Sequence, residues 1–249
     1  MSEEIEFKLP TEEIELPSKG YLYSEESGLK SGKIEMKYMT AKEEDILTNK
    51  SYIEKGNVLD KLMQSLIVSD INYNDLLTCD KDAIMIAARV LGYGKDYTFS
   101  YGGEEHTIDL TTLKDKEFDE ELFKTGTNEF SFTLPQTKNE VTFKLLTHRD
   151  EREIEAEIRG LKKIHKDNSA DLSTRLKYII TSVNGNREKA TIRKFVDTAL
   201  LAMDSRALRK EVQRISPGTD LTFFPDDESN GINIPIGISF FWPDFGDNS

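Results

Sequence analysis

The hydrophobic period of this chain changes twice, from helical spacing to alternation near Gly92 and back near Thr147, and this restricts its fold more than any other feature. Before the first change, NVLDKLMQSLIV repeats Val58, Leu59, Leu62, Met63, Leu66 and Ile67 at intervals of three and four. That spacing predicts an amphipathic helix. The next helix, from about Asp80 to Leu91, is apolar around most of its circumference and is expected at the centre of its bundle, with Gly92 as its stop. Between the two changes, DYTFSY and EEHTIDL alternate on either side of Gly102-Gly103. Gly-Gly there predicts a two-residue hairpin, because glycine reaches positive φ without strain. A second alternating pair, NEFSFTL and EVTFKLLT, is joined by the polar loop PQTKN, with the short acidic helical segment KDKEFDEELF between the two hairpins. Helices on both sides of a hairpin block give an α+β fold.

Local signals place the remaining boundaries. Residues 1–32, broken by Pro10 and Pro17, read as an extended acidic arm with turns. Residues 33–94 read as a strand and helices: KIEMKYM puts Ile34, Met36 and Tyr38 on one side, and Thr40 with Glu43 has capping-box spacing. Residues 95–146 form the hairpin insert. Residues 147–216 read as a helical bundle, capped at Thr147 and Asp150 and continuing through DLSTRLKYIITSVNG, TIRKFVDTALLAM and DSRALRKEVQRIS, the last capped by Asp204 or Ser205. Residues 217–249 return to strands in DLTFF and INIPIGISFFW and end in an acidic tail.

Composition narrows the classes of function. A chain of 249 residues can bury a core without staples, and its single cysteine, Cys79, excludes an internal disulfide and argues for a reducing compartment. The opening MSEEIEFKLP lacks the basic flank and apolar run of a signal peptide, and no apolar stretch approaches membrane-spanning length, so a soluble intracellular product is expected. The net charge of −13 argues against wholesale DNA wrapping. Its distribution says more. Residues 1–26 hold eight acidic and two basic side chains and residues 215–249 six acidic and none basic, whereas residues 149–214 hold sixteen basic against eleven acidic. Such alternation suits electrostatic docking of other proteins.

Sites for small-molecule chemistry are weakly signalled. Gly92-Tyr93-Gly94 resembles the start of a phosphate loop, but a helix precedes it and a strand follows, the reverse of what a phosphate requires. His106, His148 and His165 are scattered, with His106 expected on the exposed face of its hairpin, and no metal-ligand spacing or GxSxG occurs. Cys79, just before a helix, is the best nucleophile candidate, since a helix N-terminus lowers a thiol pKa. No catalytic residue, cofactor, metal ligand or small-molecule substrate is assigned. The candidate partner-binding residues are the basic Arg193, Lys194, Arg206 and Arg209 and the aromatic Phe240, Phe241, Trp242 and Phe245. The aromatics either pack as an edge strand on the helices or are exposed anchors for a partner. The alternative is a nucleic-acid adaptor using the basic stretch 187–214, which lacks the interleaved aromatics of single-strand binders.

Taken in order, LPSKGYLY, KIEMKYMTAKEEDILTN, LLTCDKDAIMIAARVLGYGKDYTF, DLSTRLKYIITSVNGN, MDSRALRKEV, PGTDL and IPIGISFFWPD resemble the baseplate hub assembly family of T-even-like contractile-tailed bacteriophages, from about residue 16 to 244. The resemblance implies a viral protein without enzymatic activity that acts as a hub component or assembly factor, with other phage baseplate hub and tail proteins as partners. It implies the host cytoplasm during tail assembly as its location, or retention in the virion baseplate. It also implies a CxxC pair after the YG-x-x-Y element, where this chain has Tyr101-Gly102-Gly103-Glu104. A glycine hairpin would then replace a zinc knuckle.

Overall fold

The computed structural model describes residues 9–123, 126–164, 170–225 and 231–242. Mixed helices and small antiparallel sheets give the expected α+β fold. One continuous apolar core runs from Leu16 to Phe241, so the five segments read from composition share a single interior.

The first sheet pairs β1 (Thr11–Glu15) with β2 (Lys33–Lys37) and turns Ile34 and Met36 inward. Residues 11–32 are therefore built into the molecule instead of extending from it as an arm. Leu16, Leu22, Tyr23 and Leu29 of the connecting loop are all buried. The anchor of this loop is Asp80, whose carboxylate accepts from the Ser18 amide (2.8 Å), the Ser18 hydroxyl (2.7 Å) and the Tyr23 hydroxyl (2.6 Å). Burial raises the Asp80 pKa even against these donors.

Three helices follow: α1 (Ala41–Leu47), the short α2 (Lys50–Glu54), which the sequence pattern did not signal, and α3 (Val58–Leu66). The capping residue Glu43 reaches back to the Thr40 amide (3.0 Å) and hydroxyl (2.6 Å), as its spacing predicts. It also accepts from Lys37 on β2 (2.9 Å) and Ser65 on α3 (2.7 Å), so one buried carboxylate ties three elements together. The stripe Val58, Leu62, Met63 and Leu66 is buried, while Ile67 leaves the helix to bridge Met36.

Helix α4 (Thr78–Tyr93) is central, with no residue between Thr78 and Tyr93 fully exposed. It ends two residues later than expected. Gly92 is still helical, and the cap is Gly94 at φ 85°, whose amide returns to the Val90 carbonyl (3.0 Å). A left-handed cap without a Cβ penalty is what glycine supplies. Strands β3 (Asp96–Tyr101) and β4 (Glu104–Asp109) then form the predicted hairpin, with Tyr101 opposite Glu104 and both Gly102 and Gly103 at positive φ.

The second hairpin, β5 (Phe130–Thr133) and β6 (Glu140–Phe143), gains a third strand from an unexpected source. After α5 (His148–Ile164), helix α6 (Asp171–Ile179) stops inside the run that reads as one helix, and Ile180–Val183 becomes β7 against β6. The run Ile180-Thr181-Ser182-Val183 is rich in β-branched residues, and Ile180 and Val183 are buried. The acidic segment expected as a helix contains only the 3-10 turn Glu120–Phe123, held to the sheet through the ring contacts Phe118–Phe123, Phe123–Phe130 and Phe130–Phe143.

The last helices are α7 (Lys189–Thr198) and α8 (Ala202–Ile215). Asp204 lies inside α8 and caps nothing there. Its carboxylate instead receives the amides of Gln136 (2.7 Å) and Thr137 (3.1 Å) and the Thr137 hydroxyl (2.8 Å) from the β5–β6 loop. The chain closes with β8 (Thr222–Phe223), paired with β9 (Ile232–Asn233), and the 3-10 turn Ile238–Phe241.

Candidate protein interface and the polar clusters behind it

The strongest candidate surface lies where α7 turns into α8. The stretch Ala199–Met203, read from sequence as the end of an amphipathic helix, is mostly open to solvent, with Leu201 50% and Met203 65% exposed. Helix α7 stops at Thr198, so Leu200 packs against the core while Leu201 and Met203 are left outside it. Beyond Met203 the outer face of α8 carries Arg206, Arg209 and Lys210, all exposed and without an acidic partner among the described residues. Lys194 on α7 is also exposed and unpaired there. On the inner face, Leu208 and Ile215 are buried. Asp204 pins the helix to the β5–β6 loop. Burial acts to raise its pKa, but the three donors from Gln136 and Thr137 outweigh burial and hold the carboxyl below its ordinary value. The basic row is thereby held on a fixed helix.

Arg193, expected in the same set, is occupied. It makes a two-pronged pair with Glu157 (2.7 and 2.6 Å) and lies over the Tyr178 ring at 5.8 Å. Arg187 pairs in the same way with Glu129, and Arg214 with Glu211. The stretch 187–214 is thus two populations, Arg187, Arg193 and Arg214 held by carboxylates, and Lys189, Lys194, Arg206, Arg209 and Lys210 exposed without an acidic partner among the described residues.

Phe240 and Phe241 of the aromatic group do not lie on the surface. Phe240 and Phe241, expected either as edge-strand packing or as partner anchors, are fully buried in a 3-10 turn. Phe240 meets Tyr97 edge-on at 4.7 Å, and the Tyr97 hydroxyl donates to the Pro235 carbonyl (3.2 Å), so the turn fits beneath the β3–β4 hairpin. The rings have nothing left to offer a partner. Trp242 is half-buried, and Phe245 lies outside the described residues.

Cys79 is not an activated nucleophile. It sits in the first turn of α4, but burial and then the adjacent Asp80 carboxylate push its thiol well above the ordinary value, overriding the helix terminus. His106 is half-buried between the rings of Phe99 and Phe223, each 5.7 Å away, instead of facing solvent. No group of three or more His, Cys, Asp or Glu side chains arranged for a metal ion occurs among the described residues. No helix among those residues is long and apolar enough to cross a membrane.

A polar cluster missed in the sequence lies between α3, α4 and α5. Asp60 accepts from Lys81 (3.0 Å) and the Tyr73 hydroxyl (3.2 Å), and His148 Nδ1 lies 3.4 Å from Lys81 Nζ and 3.7 Å from Asp60. Burial lowers the His148 pKa, so the ring is neutral near pH 7, and burial followed by Asp60 raises the Tyr73 phenol. A cleft of about 250 Å³, lined by Leu59, Met63, Met85 and Ile238 beside these groups, opens next to it. The cluster satisfies itself internally. It is brought together by the backbone stitch of Leu76 and Thr78 to His148 and Leu146, a long-range pairing that leaves no local sequence signal.

No protein-family model, curated protein or solved structure matches this chain.

Proposed function

We propose that this protein is a non-enzymatic assembly factor or structural component of a contractile-tail baseplate hub, acting through protein–protein contacts. The observation that carries the reading is the α7–α8 corner, where exposed Leu201 and Met203 adjoin Arg206, Arg209 and Lys210, which have no acidic partner among the described residues, on a helix braced from behind. Apolar area beside unpaired cations is the composition of a surface that a partner covers, the apolar part giving affinity and the charges steering encounter. The resemblance of the ordered segments from LPSKGYLY to IPIGISFFWPD to the baseplate hub assembly family is what supports this choice of assembly. The direct test is co-expression with the hub proteins of a contractile-tailed phage, followed by affinity capture at low salt. A complex that weakens for Met203→Asp supports the reading, and no complex with any hub protein overturns it.

One observation favours a second reading. The exposed cations without an acidic partner among the described residues, Lys189, Lys194, Arg206, Arg209 and Lys210, could follow a nucleic-acid backbone. A mobility-shift titration against double- and single-stranded DNA separates the two, since a backbone binder shows retardation that falls steeply with salt.

A further inference from the structure

Two charged patches on this molecule are each unfavourable as they stand. On α8, Arg206 lies three residues before Arg209 and four before Lys210, so three cations share one helix face. Like charges at these spacings repel. On the first sheet, Glu13 of β1 is directly opposite Glu35 of β2, and Glu15 follows on the same face. Like charges directly across strands also repel. Lys33 lies 2.6 Å from Glu13 and 3.5 Å from Glu15, and the other lysine of this face, Lys37, is drawn to Glu43 (2.9 Å), so neither is paired with Glu35. The Glu35 carboxylate accepts from the Thr11 hydroxyl.

Each patch also carries an exposed apolar side chain at its margin: Met203 on α8, and Val68, 51% exposed, beside the sheet. Val68 is placed there by its amide, which donates to the Glu35 carbonyl (2.8 Å). The dimensions agree. From Met203 to Lys210 is seven helical steps, about 10 Å. From Val68 across β2 to β1 is two inter-strand steps, also about 10 Å.

We propose that the protein self-associates, with the basic outer face of α8 on one copy seated on the acidic outer face of β1–β2 on another, and Met203 packed against Val68. Both halves of the contact are present in one chain, so a second copy is the occupant, and docking relieves both repulsions at once. This inference does not rest on the hub reading.

The test is sedimentation velocity of the full chain over a range of concentrations at about 50 and about 300 mM salt. Self-association at low salt that weakens about tenfold or more at the higher salt is expected, because contacts between exposed charges are screened beyond a Debye length near 10 Å. The reversals Arg206→Glu with Arg209→Glu, and separately Glu13→Lys with Glu35→Lys, each weaken association at least about tenfold. Mixing the two reversed proteins, or combining all four changes in one chain, restores it. The neutral pair Arg206→Gln with Arg209→Gln gives an intermediate loss, and thermal melts establish that every variant is folded. A wild-type monomer at all concentrations in low salt overturns the proposal. So does failure of the charge-swapped mixture to reassociate.

Discussion

Replacing Glu43 by glutamine keeps the volume of the side chain and removes its charge, at the point where β2, α1 and α3 meet. Four donors converge on this carboxylate: Lys37 Nζ, the Thr40 amide and hydroxyl, and Ser65 Oγ. Burial opposes the charge, but the hydrogen bonds from Thr40, Lys37 and Ser65 outweigh it and hold the folded pKa at about 2, against an ordinary 4.5. The gap, 4.5 − 2, is 2.5, and at about 1.4 kcal/mol per pH unit it corresponds to about 3 kcal/mol of stability at neutral pH. Because the folded pKa is depressed, that contribution is complete above 4.5 and is lost as the pH falls through 4.5 toward 2. Urea unfolding of wild type and Glu43→Gln at pH 7 and pH 3, analysed at equal denaturant dependence, measures it. The expected loss is roughly 2–3 kcal/mol at pH 7 and about half of that at pH 3. A loss below about 1 kcal/mol at pH 7, or an equal loss at both pH values, would refute the assignment of Glu43 as a charged three-way tie.

Asp204→Ala strands two amides and a hydroxyl of the β5–β6 loop and should cost about 2–4 kcal/mol in urea unfolding, with faster amide exchange at Gln136 and Thr137. A change of under 0.5 kcal/mol, the range typical of surface substitutions, would contradict its placement. Gly94→Ala puts a Cβ on a residue at φ 85° and is expected to lower stability by about 1 kcal/mol, read as a fall in melting temperature, whereas Gly160→Ala, at an exposed position within α5, should be neutral or stabilising. Native Cys79 should react with iodoacetamide at pH 8 at least about tenfold more slowly than in the urea-unfolded chain, because its thiolate is disfavoured. Equal rates would mean that the thiol is neither buried nor raised.

Elements built from local chemistry were legible in the sequence. The stripe of α3, the Gly102-Gly103 turn and the reach of Asp150 back to the Thr147 amide and hydroxyl depend on residues within a few positions of each other. What escaped was decided at long range. The run around Ile179 and Ile180 suits a helix or a strand equally well, and the partner that selects a strand is Val141 with its neighbours on β6. The same holds for charged residues inside the core. Asp80, Asp204 and Glu43 read as ordinary solvated acids or caps until the donors from distant loops are in place. Of the candidate surface, the cations were legible by type, but which were free was not, because Arg193 and Arg187 find their carboxylates on other elements. The exposed Leu201 and Met203 were hidden by the helical spacing of TALLAM, which the break after Thr198 takes out of register with the core.

The seating of Phe240 beneath Tyr97 has a consequence for how the protein is made. The hairpin is synthesised first, and the ring that fills the space under it lies about 140 residues further along the chain. At about 5–20 residues per second, Tyr97 waits on the order of ten seconds for its neighbour to be synthesised, and longer for it to clear the exit tunnel. Throughout that interval the underside of the hairpin is an open apolar surface. Closure over this surface therefore waits for the segment around Phe240, and any chain truncated shortly before Phe240 keeps that surface uncovered, a substrate for chaperones and proteases.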